Sequence, residues 1–380
     1  MSNEFIFLDC NFAFKKEKTL MNSINHNNRI LSIDLARGLA VLFMIAVHTL
    51  MVFANQEVRD SVFGQIIEFL GGPPAAPVFM TLMGFSYVYS RKSDLKSRLT
   101  RGLKILLSGY LLNILRGVIP FTLSTRLHLD ITETFPLNKL NEYTILTIVD
   151  ILQFAGIALM IMALIQEFKI NKYVILFTAI LISMISPFFW GLHLNIPVID
   201  HILELFWGDQ PIAYSFIDNK ISFPVLPWLS FPLLGMFLGI TIKKSNDQSM
   251  TFKHFGIIGI SVLLLGVVIS YSDIEYHLND YYHSRQGGML FMHGFVLFWL
   301  YFTKLILDKV HKNKVFELLF KWSNGVTNIY FAQWIIIIWS IPLFGINQNS
   351  LLSTILLIIG FTILSHIINE CISCIRRKKR

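Results

Sequence analysis

Stretches of about 20 mostly apolar residues recur along this chain of 380 residues, and they constrain its fold more than any other feature. About 20 helical residues span the ~30 Å hydrocarbon core of a bilayer. Ten such segments can be read at about residues 34–54, 75–90, 99–121, 145–165, 171–190, 222–242, 252–271, 289–307, 326–345 and 351–370. Only 15% of the residues are charged and the mean hydropathy is +0.59, which excludes an ordinary soluble domain. The sequence therefore predicts an all-α polytopic membrane protein with about ten transmembrane helices.

The second of these segments is short and follows Gly71, Gly72, Pro73 and Pro74. Glycine and proline interrupt regular helices. We therefore expect a segment that is either partly re-entrant or extended toward Ile66.

Lysine and arginine residues indicate the orientation of the helices. If the N-terminus is cytoplasmic, the inner connections and termini hold 24 of these residues. The outer connections hold five, namely Arg59, Arg126, Lys139, Lys220 and Arg285. Both termini are therefore predicted to be cytoplasmic, and the net charge of +8 reflects topology, so we expect no nucleic-acid partner. The pattern predicts a cytoplasmic tail over 1–28, one membrane domain over 29–375 and a basic cytoplasmic tail over 376–380.

Arg37 and His48 lie eleven residues apart within the first apolar segment. Eleven helical steps make three turns plus roughly 20°, so both side chains share one face. Asp34 lies one turn before Arg37 and can pair with it. Ionisable groups in hydrocarbon are expensive and commonly functional, which makes this pair the first candidate site. A purely structural role is the alternative.

Further polar residues lie at matching depths in other predicted helices. Asp150 and His293 fall near the depth of His48, which allows a His–Asp or His–His site. Asp150 could instead pair with Arg116, and His293 could merely bond a neighbour. Arg101 and Lys104, together with Arg37, could hold an anionic group from the cytoplasm. Snorkelling to lipid headgroups explains Arg101 and Lys104 equally well.

The longest outer connection, at about 191–221, contains several acidic residues and histidines. His201 and Glu204 there lack a third ligand, so no metal is predicted.

The segment RILSIDLARGLAVLFMIAVH, from Arg29 to His48, resembles the first membrane helix of the heparan-α-glucosaminide N-acetyltransferase-like transmembrane acyltransferases. The spacing of Arg37 and His48 is also similar to the Arg-x10-His signature of the related acyltransferase-3 family. Three further stretches fit, namely APVFMTLMGFSYVYS from Ala76, DILQFAGIALM from Asp150 and LPWLSFPLLGMFLG from Leu226.

This resemblance implies a membrane-bound transferase that moves an acetyl group from cytoplasmic acetyl-CoA to a sugar or glycan acceptor beyond the membrane. It implies that His48 is the catalytic histidine, that Arg37 belongs to the donor site and that Thr81, Gly84 and Ser86 line the acyl path. We expect a multi-pass protein of the bacterial inner membrane that modifies glycans of the cell envelope.

The chemistry of acyl transfer suggests roles for these groups. A histidine in a low dielectric stays neutral and can accept a proton from the attacking group. His48 would act as a base or carry the acetyl group itself, and Asp150 would orient its ring. Thr81, Ser86 or Asn113 would supply donors to the oxyanion. The predicted site thus comprises catalytic His48 and Asp150, donor-binding Arg37, Asp34, Arg101 and Lys104, acyl-path Thr81, Gly84, Ser86 and Asn113, and His293 as a second histidine.

Two other functions fit the same residues. A transporter or flippase could use the Arg, His and Asp side chains as a proton relay. A non-catalytic membrane subunit would tolerate substitution of His48. The sequence leaves open the acceptor, the acyl chain length, O- or N-acylation and the formation of a homo-oligomer.

Overall fold

The computed structural model describes residues 30–90, 94–126, 142–192, 194–208, 222–311 and 313–378. The predicted tail over 1–28 lies outside the described residues, as do residues 209–221 of the outer connection and the last two residues of the chain. The described part is helical throughout its regular structure, with one isolated β-bridge between Ala54 and Asn349. The predicted all-α fold is confirmed.

The first predicted segment is one helix and the second is a broken helix. The four helices here are α1 (Leu31–Phe53), α2 (Gln56–Asp60), α3 (Val62–Gly71) and α4 (Ala76–Val88). The N–H of Gly72 closes α3 by donating to the Glu68 carbonyl at 2.9 Å. Pro73 and Pro74 follow and lack the N–H groups that would continue it. Of the two alternatives, the structure shows the extension toward Ile66, in a span from Val62 to Val88.

The third segment is a long helix with a local change of pitch. It comprises α5 (Leu95–Asn113), a π-helical turn (Ile114–Val118) and α6 (Ile119–Arg126). Single π-helical turns within α-helices are frequent at functional sites. This turn contains Arg116, which is buried.

The fourth segment differs from the predicted one at its start. A short helix, α7 (Glu142–Leu146), precedes α8 (Ile151–Glu167), so Asp150 caps the membrane helix instead of lying inside it. The Asp150 carboxylate accepts from the Ile151 N–H at 2.7 Å, and the Gln153 side chain accepts from the Asp150 N–H at 3.2 Å. This capping box satisfies N–H groups at the helix start and fixes its position.

The remaining helices comprise the last six predicted segments and several shorter helices between them, which were not predicted. They are α9 (Lys172–Ile185), extended by a 3-10 turn (Ser186–Phe189), α10 (Pro197–Trp207), α11 (Val225–Trp228), α12 (Ser230–Lys243), α13 (Gln248–Ser272), α14 (Ile274–Leu278), α15 (Gln286–Lys309), α16 (Lys314–Asn324), α17 (Val326–Trp339), α18 (Ile341–Phe344) and α19 (Leu351–Lys378). Eight spans in the described residues are long and apolar enough to cross a membrane, and the shorter apolar helices α8 and α17 match the other two predicted segments. Because α19 extends to Lys378, the first residues of the predicted basic tail are helical.

Helix α1 lies at the centre of the bundle, where it packs against α3, α4, α15, α16, α17 and α19. In its apolar 18-residue stretch, 61% of the residues are buried, compared with 22% in α19. Gly38 permits the close approach of α1 to α16, since a Cβ atom there would lie 2.3 Å from the Leu319 carbonyl oxygen of α16. Small residues let membrane helices pack closely. The central position brings residues of α1 into contact with both halves of the chain.

The helix ends meet as the alternating topology requires. On the predicted inner side, Arg98 of α5 forms an ion pair with Glu167 of α8 at 2.6 Å. On the predicted outer side, the Asn55 N–H after α1 donates to the Asn349 carbonyl before α19 at 3.0 Å, and the Tyr281 hydroxyl donates to the Gly72 carbonyl at 3.2 Å. The consecutive helices α5 and α8 therefore run in opposite directions, as do the first and last membrane helices, α1 and α19.

Candidate functional site

Arg37 is held in a polar cluster at the predicted cytoplasmic end of α1. Its Nη1 donates to Asp34 Oδ1 at 3.3 Å and to Ser323 Oγ at 3.1 Å, and its Nη2 donates to Ser86 Oγ at 2.6 Å. The Ser323 hydroxyl also donates to Asp34 at 2.9 Å. The predicted pairing of Asp34 with Arg37 is present. The cluster fixes one guanidinium between α1, α4 and the end of α16.

His48 contacts α17 on the same side of α1. Its Nδ1 lies 3.1 Å from Nε2 of Gln333. Its ring packs against the indole of Trp334, with the ring centroids 4.3 Å apart and the planes tilted by 33°. Arg37 bonds Ser323 near the end of α16, and His48 contacts Gln333 of α17. Both therefore face the segment from 323 to 334, in agreement with the shared face expected from their spacing.

His48 lines a cavity of about 250 Å³. The walls are mostly apolar and aromatic, with a few polar groups among them, which is typical of a small-molecule site. The lining residues are Met44, Val47, His48, Met51, Glu68, Gly71, Gly72, Ala75, Ala76, Phe79, Asp150, Ile151, Phe223, Tyr281, Tyr282 and Tyr330. The break between α3 and α4 forms part of this wall.

Asp150 lies in the wall of the same cavity and is the centre of a buried network. Arg116 Nη2 lies 2.8 Å from Asp150 Oδ2, and the Tyr330 hydroxyl donates to the same oxygen at 2.6 Å. The Arg116 guanidinium also lies 4.7 Å from the centroid of the Trp334 ring. A buried carboxylate needs such partners. The structure thus shows the Arg116 pairing and brings Asp150 into the cavity with His48.

The Gln333 amide lies at hydrogen-bonding distance from His48 Nδ1. Asp150 is connected to the imidazole ring through intervening side chains. Asp150 pairs with Arg116, Arg116 lies over Trp334, and Trp334 packs against the imidazole of His48. We expected the Asp150 carboxylate to bond and orient the His48 ring. The structure places the neutral amide of Gln333 beside Nδ1 instead.

The other predicted donor-binding residues are separate from the Arg37 cluster. Arg101 and Lys104 are exposed on α5, near its predicted cytoplasmic end. Among the described contacts, neither is bonded to Arg37. Long basic side chains at this depth can reach the headgroup region.

Three predicted acyl-path residues serve helix packing in this structure. The Thr81 hydroxyl donates to the Pro77 carbonyl at 2.8 Å, and a Cβ atom on Gly84 would lie 1.9 Å from the Pro232 carbonyl of α12. The Asn113 amide donates to the Leu146 and Ile148 carbonyls at 3.0 and 2.7 Å. None of the three is among the described residues that line the cavity with His48. Ser86, the fourth, bonds Arg37.

His293 is likewise engaged elsewhere. Its Nδ1 donates to the Met289 carbonyl at 2.6 Å, and its ring stacks on Phe231 with centroids 4.3 Å apart. The described lining of the His48 cavity does not include it. In the described part of the chain, no group of three or more His, Cys, Asp or Glu residues is arranged to hold a metal.

The outer loop that supplies Tyr281 and Tyr282 is itself braced. Asp280 Oδ2 lies 2.9 Å from His283 Nδ1, and Asp280 Oδ1 accepts from the Tyr282 N–H at 2.7 Å. Burial opposes ionisation of this carboxyl, but the His283 and backbone hydrogen bonds outweigh it and lower the pKa of Asp280. Burial also raises the pKa of Tyr281 well above its ordinary value, so its phenol is neutral.

Sequence reasoning missed the contribution of α17. Tyr330, Gln333 and Trp334 follow the i, i+3, i+4 spacing that places side chains on one helix face. A glutamine inside an apolar run was the available signal, because a buried amide requires partners. Which neighbouring helix that face meets could not be read from the spacing.

The comparisons with known proteins point to one family. The sequence model described as heparan-alpha-glucosaminide N-acetyltransferase, catalytic, matches residues 29–267. No curated protein matches the chain. The matched range contains Arg37, His48, Arg116 and Asp150, whereas α17 lies beyond it.

Proposed function

The chain belongs to the heparan-α-glucosaminide N-acetyltransferase catalytic family, and from this premise we propose that it transfers an acetyl group from cytoplasmic acetyl-CoA to a sugar or glycan acceptor outside a bacterial cytoplasmic membrane. One observation carries the proposal. His48 lies in the wall of an aromatic cavity at the predicted outer end of α1, and Arg37 lies in a polar cluster at the opposite end of that helix.

The cavity suits the reacting end of a sugar-like acceptor. Phe223, Tyr281 and Tyr282 offer flat apolar faces, while Glu68 and Asp150 offer hydrogen-bond acceptors for hydroxyl or amine groups. Its volume of about 250 Å³ is below the ~300–1,000 Å³ of drug-sized ligand sites. We infer that one acceptor unit enters while the rest of a larger glycan stays outside.

The inner end of α1 suits an anionic donor. Arg37 supplies a fixed positive charge whose position is set by Asp34, Ser86 and Ser323. The exposed Arg101 and Lys104 add positive charge on the same predicted side and would raise the local concentration of coenzyme A phosphates. The acetyl group must then reach His48, about 16 Å further along the helix axis.

We assign His48 the role of general base. The neutral imidazole accepts a proton from the acceptor hydroxyl or amine as that group attacks the thioester carbonyl. A new C–O or C–N bond forms, the C–S bond breaks, and the proton passes from His48 to the coenzyme A thiolate.

The test uses purified full-length protein in detergent or nanodiscs with radiolabelled acetyl-CoA and envelope glycans or monosaccharides. Wild type should label an acceptor, and His48→Ala should abolish labelling. His254→Ala is the matched control, because His254 is exposed on α13. Without acceptor, a general base leaves the protein itself unlabelled. Full labelling by a folded His48→Ala variant would remove the assignment.

A further inference from the structure

Gln333 has no solvent exposure, and its amide adjoins the proposed base. Its Nε2 lies 3.1 Å from His48 Nδ1, whereas its Oε1 has no hydrogen-bond partner among the described residues. Burying an amide without full hydrogen bonding destabilises the fold, because the unpartnered group has lost its bonds to water. An unused acceptor beside a histidine therefore needs an explanation.

We propose that Gln333 is the positioning residue for His48: its side-chain carbonyl, turned toward Nδ1, fixes the imidazole tautomer that leaves Nε2 free to take the acceptor's proton. This inference rests on the proposed function and adds a residue outside the range that the family model matches.

The argument follows from the two nitrogens of imidazole. In its neutral form one nitrogen carries a proton and the other a lone pair. If the Gln333 amide donates to Nδ1, the proton lies on Nε2, and that nitrogen cannot act as a base. Turning the amide by 180° exchanges two atoms of similar size: it brings Oε1 to Nδ1 and places the amide NH2 where Oε1 now lies. Nδ1 then donates, and the lone pair lies on Nε2.

The same orientation serves the protonated ring. When Nε2 has accepted the proton, both nitrogens are donors. The Gln333 carbonyl keeps its bond to Nδ1–H and stabilises the imidazolium without a second buried carboxylate. Trp334 packs against the ring and limits its rotation, so Gln333 and Trp334 together define where Nε2 lies.

Charged and titratable groups around His48 come from several elements. Asp150 precedes α8, Arg116 belongs to the π-helical turn, Tyr330 lies on α17, and Glu68, Tyr281 and Tyr282 line the shared cavity. Asp150 is engaged by Arg116 and Tyr330, as described above. The Gln333 amide therefore occupies the position next to His48 Nδ1.

The experiment compares Gln333→Leu and Gln333→Glu with wild type, using kcat, KM for donor and acceptor, and the pH dependence of kcat/KM. Gln333→Leu should lower kcat at least 10-fold with little change in either KM. Gln333→Glu keeps an acceptor at Nδ1 and adds negative charge that favours the imidazolium. It should retain more activity than Gln333→Leu and move the acidic limb of the profile to higher pH.

Asn328→Leu is the matched control. Asn328 lies on the same helix and donates to Asn369 at 3.1 Å, away from the cavity, so its loss should leave the pH profile unchanged. The nearly isosteric Gln333→Glu tests the proposal even where Gln333→Leu does not fold. A Gln333→Glu profile that superimposes on wild type would overturn it. If His48→Ala abolishes transfer while the Gln333 variants behave as wild type, this inference alone fails. If a folded His48→Ala variant is active, the general-base role of His48 fails, and if wild type labels no acceptor, the proposed function fails.

Discussion

The indole of Trp334 packs against the imidazole of His48, with centroids 4.3 Å apart and the ring planes tilted by 33°, and the same indole lies beneath the Arg116 guanidinium at 4.7 Å. One aromatic side chain from the last third of the chain therefore connects the proposed base with the buried ion pair of Arg116 and Asp150. This contact links the family-matched helices to α17.

Replacing Trp334 should break the connection between His48 and the Arg116–Asp150 ion pair. Trp334→Leu removes the ring that limits rotation of His48, and we expect kcat to fall at least 10-fold. Removing a large buried aromatic also destabilises the fold, by up to about 3–5 kcal/mol for truncation to alanine. Trp334→Phe keeps a ring and should retain more activity than Trp334→Leu. Trp339→Leu, at a half-exposed position of the same helix, is the control. Equal activity in the two Trp334 variants would argue against a role for the contact between the two rings.

Breaking the Arg116–Asp150 pair should reduce stability. Asp150→Asn leaves a buried guanidinium without its counter-charge, a change that costs about 3–5 kcal/mol in buried pairs. Adding Arg116→Met removes the uncompensated charge, so the double variant should be more stable than Asp150→Asn alone. Thermal denaturation in detergent measures both effects. A double variant no more stable than the single one would contradict the pairing as the cause.

The loss of Arg37 should weaken donor binding. Arg37→Ala removes the fixed charge of the cytoplasmic cluster, so the KM for acetyl-CoA should rise about 10-fold or more, while the KM for the acceptor stays near wild type. Arg37→Lys should recover little, because one ammonium cannot reproduce the separate contacts of Nη1 and Nη2. Steady-state kinetics with each substrate varied in turn makes the comparison. An unchanged KM for acetyl-CoA would place the donor elsewhere.

Asp280 should make the outer loop sensitive to acid. Its pKa is lowered in the folded protein, so the carboxylate stabilises the fold at every pH above its unfolded pKa, and this contribution is lost as the pH falls through the lower folded value. The difference in melting temperature between wild type and Asp280→Asn should therefore be present above the unfolded pKa of the carboxyl and vanish in strong acid. Because Asp280 holds Tyr282, the variant should also raise the KM for the acceptor. A pH-independent difference would exclude ionisation as the cause.

Segment length and helical periodicity predicted much of the architecture. About 20 apolar residues must cross a bilayer, which located the ten segments, and the 3.6-residue repeat placed Arg37 and His48 on one side of α1. The position of Asp150 within its predicted segment placed it at the same membrane depth as His48. These properties depend on one helix at a time.

Contacts between helices depend on their rotation about their own axes, which a single sequence does not specify. Thr81 and Gly84 were expected to line an acyl path, but their side of α4 packs against α12. Gln333 and Trp334 were missed for the same reason. The start of α8, in contrast, could have been predicted from the sequence, because the spacing of Asp150 and Gln153 is that of a capping box.

The most direct test of the account uses proteoliposomes in which acetyl-CoA and the acceptor are kept on opposite sides of the membrane. With labelled acetyl-CoA on the predicted cytoplasmic side, wild type should label acceptor on the other side, and His48→Ala should label none. Labelling that requires donor and acceptor in the same compartment, or that persists in folded His48→Ala, would contradict a transfer path along α1 to His48.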